Sequence, residues 1–186
     1  MSDHLKILIL EDSRDDVDLI ERELKKSGIE FTSLVVNKKT EFESALRSFT
    51  PDVILSDHSL PQFNSIEALE CYKTYENTIN VRIPFILITG SVSEEFAVQC
   101  MRGGADDYIL KDRLKRLPGS IKSNLEKCRV ETERRTVLSQ LIAKEALLGQ
   151  VHRLMRIGVW EVDFREQKVT WDSLTRQLHE VESDFE

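Results

Sequence analysis

Proline, glycine and cysteine are all scarce in these 186 residues, with four, seven and three copies. So little proline and glycine excludes a fibrous repeat and a long flexible linker. The three thiols, Cys71, Cys100 and Cys128, are odd in number and lie outside metal-ligand spacings. They read as buried free cysteines in a reducing compartment. No apolar run approaches the roughly 20 residues that cross a bilayer, and residues 1–10 lack the apolar stretch of a secretion signal. Basic side chains are outnumbered, 26 against 33 acidic ones, for a formal net charge of −7. A chain of that sign has no general affinity for nucleic acid, which needs a basic surface. A cytoplasmic protein with neither a membrane span nor a nucleic-acid partner is therefore expected.

What is present describes a folded chain with a real core: 40% hydrophobic and 32% charged residues. The charge is partitioned, with balances of −6 over residues 1–120, +3 over 121–155 and −4 over 156–186. An acidic block, a mildly basic connector and an acidic tail predict three units with those boundaries.

In the first block, short apolar runs rich in β-branched residues recur at 5–10, 31–36, 53–55, 85–89 and 108–110. Helical patterns separate them at about 15–27, 40–48, 65–76 and 93–103. Runs that are almost uninterruptedly hydrophobic, such as 85–88, fit strands covered on both faces, as in parallel sheets. Strand–helix alternation repeated five times predicts right-handed crossovers and a doubly wound α/β sheet. Gly28, Pro51 and Gly103-Gly104 fall where such elements end or begin.

The texture then changes. After Pro118 no further proline occurs, and between Gly119 and Gly158 the one glycine is Gly149. Val130, Val137, Leu141, Leu148 and Val151 fall on one seam of alternating four- and three-residue steps, which Arg134 and Lys144 also occupy. A helix of about 30 residues would rise about 45 Å, more than a small domain needs. Burying that seam in a two-stranded coiled coil is the economical solution, and it predicts a homodimer through the 118–151 helix. Residues 159–164 and 168–171 alternate around a short polar turn and read as a β-hairpin, with Trp160 and Trp171 in its core. The 15 residues after Trp171 do not complete the domain this hairpin begins.

Function in such a sheet sits in the crevice at the carboxyl ends of its strands. Glu11 and Asp12 follow the first strand, Asp57 ends the third, Thr89 ends the fourth and Lys111 follows the fifth. Crowded carboxylates repel unless a cation joins them. An oxygen-only set with few protein ligands suits Mg²⁺. Lys111 and Thr89 would offer a positive charge and a hydroxyl donor to a phosphoryl group, and a carboxylate can itself accept that group. Neighbouring His58 reads as a loop residue, and His152 sits in no recognisable phosphorylation box.

In order and strand placement these five residues resemble a response-regulator receiver domain, over roughly residues 6–124. The resemblance implies a flavodoxin-like (βα)₅ fold and phosphorylation of Asp57 by a histidine kinase or phosphotransfer partner. It implies Mg²⁺ bound directly by Asp12, Asp57 and the backbone carbonyl of Ser59, with Glu11 acting through water. Tyr108 matches the family's switch aromatic, which follows the hydroxyl at Thr89. Asp112 stands where many receivers have proline, which argues against a cis bond after Lys111. The stretches 57–63 (DHSLPQF) and 104–118 (GADDYILKDRLKRLP) resemble receivers at the amino end of multidomain sensor proteins, and 157–171 (IGVWEVDFREQKVTW) resembles the opening hairpin of a PAS domain. The expected activity is self-catalysed phosphotransfer to Asp57 and no other enzyme chemistry in this chain. Two other readings compete: a Mg²⁺-dependent phosphohydrolase using Asp57, disfavoured because Ser59 replaces the second acid two positions on, and a vestigial receiver that only dimerises.

Overall fold

The structure, a computed structural model, describes residues 4–58, 60, 61, 63–79, 81–90, 94–155 and 158–180. The chain divides into two compact units, residues 1–132 and 133–186.

The first unit is built on five parallel strands: β1 (Leu5–Leu10), β2 (Phe31–Val36), β3 (Val53–Asp57), β4 (Phe85–Thr89) and β5 (Asp107–Leu110). Their order across the sheet is β2-β1-β3-β4-β5. The connecting helices are α1 (Arg14–Lys26), α2 (Lys39–Ser48), α3 (Ser65–Ile79) and α4 (Glu94–Gly103). A 3₁₀ turn at Lys111–Arg116 then leads into α5 (Leu117–Met155). The expected doubly wound sheet is present, with the long C-terminal helix.

Side-chain alternation makes two cores, one on each face of the sheet. Ile7, Ile9, Val53, Leu55, Ile86 and Ile88 face Val17, Ile20 and Leu24 of α1 and Leu117 and Ile121 of α5. Leu8, Leu10, Ile54, Phe85 and Leu87 face Phe42 and Leu46 of α2, Tyr72 and Leu69 of α3, and Cys100 of α4. Central strands are thus buried on both sides, which is why their sequences read as continuous apolar runs.

Local signals set the helix ends. The Ser13 hydroxyl accepts from the Asp16 amide to cap α1. Past its last turn Gly28 takes φ of 73°, a left-handed conformation that side chains with a Cβ resist. Beyond Ile121, α5 stays on the first unit through Cys128 and an ion-pair clip. Arg82, ahead of β4, pairs with Asp106 and reaches Glu131 at 2.8 Å. Asp106 also accepts from the Phe85 amide at 2.9 Å, so the clip is fastened to the sheet itself. Cys128 is buried, and burial pushes its thiol up to about 11, with Asp106 next in effect.

In the second unit, β6 (Trp160–Asp163) and β7 (Lys168–Trp171) form the expected antiparallel hairpin, with Trp160 opposite Trp171 and Val162 opposite Val169. A short helix, α6 (Ser173–Leu178), follows; its Asp172 cap is a signal that the sequence reading passed over. Thr175 donates to the Val159 carbonyl and fills the space over Gly158, where any Cβ would meet its backbone. Trp171 packs beside His179, with ring centroids 5.0 Å apart. Trp160, expected inside, is instead 63% exposed among these residues, because a two-stranded ribbon has no second layer to cover it.

No described helix is long and apolar enough to cross a membrane.

Candidate phosphoryl site

The strand order reverses direction at β1, whose neighbours are β2 on one side and β3 on the other. A crevice therefore opens beyond the carboxyl ends of β1 and β3, where connections leave for opposite faces. Glu11 and Asp12 follow β1 there, and Asp57 is the last residue of β3. One carboxylate oxygen from each of the three lies within 4.8 Å of the others, with Glu11 and Asp57 buried and Asp12 exposed. Like charges this close are costly, and a hard cation with oxygen ligands is the group that relieves them. By donor type, spacing and access from solvent, the three carboxylates fit Mg²⁺.

Lys111 enters from the end of β5. Its ammonium lies 2.9 Å from Glu11 Oε2 and 3.5 Å from Asp57 Oδ1, and it also contacts Asp16 Oδ2. Burial alone would lower the Lys111 pKa, but hydrogen bonds to Asp16 and Glu11 and the Asp57 charge outweigh it and raise it, so the amine stays protonated. Glu11 is held from the other side too: its Oε1 accepts the Asp12 and Ser13 amides at 3.1 and 3.0 Å. Burial raises the Glu11 pKa most; bonds from Lys111 and Ser13 pull it down, and the Asp57 charge pushes it up again.

Thr89 is buried at the end of β4, in register with Leu110, the residue before Lys111. Tyr108 lies on β5 opposite Leu87 and is 40% exposed. The His58 ring sits 3.3 Å from the Ser65 hydroxyl, at the start of α3. Ser59, expected to offer its carbonyl to a metal, lies outside the described residues. Among the described residues no peptide bond is cis, in keeping with Asp112 after Lys111.

One participant escaped the sequence reading. Asp16 lies in the first turn of α1, 95 residues from Lys111, among Asp15 and Asp18. Its position three residues after Ser13 suggests a capping box, in which its carboxylate would take the Ser13 amide. Glu11 takes that amide instead, leaving the Asp16 carboxylate to Lys111.

Comparison with known proteins identifies the family of the first unit. A sequence model described as the response regulator receiver domain matches residues 7–122. Among curated proteins, the DNA-binding response regulator MtrA of Mycolicibacterium paratuberculosis is 26% identical over 154 residues, 82% of this chain and 64% of MtrA. The regulatory protein AtoC of Escherichia coli K12 is 33% identical over 109 residues, 57% of this chain and 22% of AtoC. The chain thus spans less than two thirds of the length of these relatives.

Solved structures share the fold. The receiver domain of the sensor histidine kinase PA1611 from Pseudomonas aeruginosa, described with a magnesium ion in its active-site cleft, superposes with a TM-score of 0.56 at 22% identity. That match covers 66% of this chain and 98% of that one. The phosphorylated cyanobacterial phytochrome response regulator RcpA matches with a TM-score of 0.54 at 28% identity, over 67% and 94% of the two chains. With its five-stranded sheet, its acidic crevice and the match over 7–122, this chain belongs to the response-regulator receiver family.

Proposed function

We propose that the chain is the phosphoacceptor module of a two-component or phosphorelay protein, with Asp57 as the acceptor. The observation that carries this reading is the placement of Asp57 at the end of a central strand, between the Lys111 ammonium and two further carboxylates.

In the reaction, an Asp57 carboxylate oxygen attacks the phosphorus of a phosphohistidine or an acyl phosphate. The bond from phosphorus to the donor nitrogen or oxygen breaks, and the leaving group departs with that electron pair. The new P–O bond makes Asp57 an acyl phosphate, and water later returns the carboxylate. Lys111 remains charged and offers its N–H groups to a phosphoryl oxygen. Thr89 presents a hydroxyl donor from the next strand, and Tyr108 follows the position of that hydroxyl. Asp12 and Asp57, with the Ser59 carbonyl, would hold Mg²⁺, and Glu11 would act through water. When bound, the cation supplies charge neutralisation for the phosphoryl oxygens.

Output would pass through residues 121–155 to a PAS-like region at 156–186, the receiver proper being 1–120. A homodimer through 118–151 fits the exposed apolar residues Val137, Leu141 and Leu148 on α5. The donor would be a histidine kinase or a phosphotransfer protein, the classes of partner with which receivers interact.

Incubation with acetyl phosphate and Mg²⁺ should add one phosphoryl group. Borohydride reduction and peptide mass spectrometry should map it to Asp57; a group found elsewhere, or none, rejects the assignment. Light scattering should give the mass of two chains, and a monomer at high micromolar concentration would remove the dimer from the reading.

A further inference from the structure

Lys111 is engaged by three carboxylates that differ sharply in how well water could replace it. The Glu11 side chain is 1% exposed, that of Asp57 7%, and that of Asp16 28%. The amine lies closest to the most exposed of them and 3.5 Å from the acceptor. Asp16 also sits in the first turn of α1, where the helix dipole stabilises a carboxylate without help from a cation. Breaking the contact to Glu11 would strand a buried charge, whereas breaking the contact to Asp16 returns a carboxylate to solvent beside a helix N-terminus.

We infer that Asp16 is a positioning residue that draws the Lys111 ammonium away from Asp57 and yields it when a phosphoryl group arrives. The inference rests on the phosphoacceptor reading above and deepens it. Asp16 is then a brake on adduct formation in two ways. It competes with the incoming phosphoryl oxygens for the N–H donors of Lys111, and its own negative charge repels them. It adds nothing to Asp57 as a nucleophile, so its removal favours the phosphorylated form. The bland alternative, an N-terminal helix cap, is weakened by the Ser13 amide going to Glu11.

The test uses the whole chain and beryllofluoride, a phosphoryl analogue, with saturating Mg²⁺. Asp16→Asn keeps the shape and the helix position but removes the charge. It should bind the analogue roughly five-fold more tightly, the scale of a partly exposed ion pair, while Asp16→Glu stays near wild type. The ¹⁵N signal of the Lys111 ammonium should shift in Asp16→Asn without analogue and converge on the wild-type position with it. A loss of capping alone would move neither the affinity nor that convergence. Equal or weaker binding by Asp16→Asn overturns the inference while the phosphoacceptor reading stands. Absence of any adduct in the wild-type protein overturns that reading and this inference with it.

Discussion

Asp57→Asn will take up no phosphoryl group from acetyl phosphate, yet it will be more stable to heat than wild type in metal-free buffer at neutral pH. The loss of labelling follows from the amide's lack of a nucleophilic oxygen anion. The gain in stability follows from the crowding of Glu11, Asp12 and Asp57, whose oxygens lie within 4.8 Å of one another. Removing one negative charge from that set is worth about 1 kcal/mol, or about 2–8 °C in Tm for domains of this size class.

The pH dependence has a definite sign. Glu11 binds its proton more tightly folded than unfolded, because burial and then the Asp57 charge outweigh its hydrogen bonds. A raised carboxyl stabilises the fold below its ordinary pKa of 4.5, and that contribution disappears as pH climbs through the folded value. At neutral pH the ionised Glu11 is a full cost, and Asp57→Asn relieves part of it. The advantage of the variant should therefore be complete at neutral pH and shrink as pH falls through the raised folded value of Glu11 toward 4.5. Added Mg²⁺ should reverse the ranking, since only a form that binds the cation well gains from mass action. Thermal melts of both proteins across pH, with and without Mg²⁺, check each part. A variant less stable than wild type in metal-free buffer at pH 7 would show that the Lys111 pairing outweighs the repulsion.

Tyr72→Ala should cost about 3–5 kcal/mol, a large share of the roughly 5–15 kcal/mol that holds a domain folded. Tyr72 is fully buried on α3 and stacks on Phe85 of β4, ring centroids 5.9 Å apart. Its hydroxyl accepts the Ile83 amide at 2.8 Å, satisfying the backbone just before β4 begins. Truncation thus empties a cavity between helix and sheet and leaves a buried donor without its acceptor. Tyr72→Phe separates the two losses, keeping the ring while forfeiting the bond, at about 1–2 kcal/mol. Urea titrations followed by circular dichroism should rank wild type, Phe and Ala in that order. A phenylalanine variant as stable as wild type would mean water or a shift of the loop replaces the phenol.

The elements that were plain in the sequence are those whose burial is two-sided. Strands at 53–57 and 85–89 are buried along their whole length because helices cover both faces, so residues 53–55 and 85–88 read as unbroken apolar runs. Helices at 14–26 and 39–48 were legible within a residue or two from their apolar stripes. The five site residues that resembled the family were legible because each sits at a strand end, a place that alternation fixes. Asp16 was not, because its role depends on which of two acceptors takes the Ser13 amide, and sequence spacing favours the wrong one. The Arg82 clip was invisible for a related reason: its partners are 24 and 49 residues away, on elements whose approach only the folded sheet defines. The hairpin carried its own alternation, but α6 is a single short turn-and-a-half with no stripe long enough to show a period.

The same clip bears on how the chain comes off the ribosome. Of Arg82, Asp106 and Glu131, all within the first unit, Glu131 is the last to be synthesised. At about 5–20 residues per second, the roughly 50 residues that follow take about 3–10 s to synthesise. A domain of this size and topology folds within milliseconds to seconds. The acidic crevice can therefore close, with its lysine in place, while the hairpin that carries the exposed Trp160 and Phe164 is still being made.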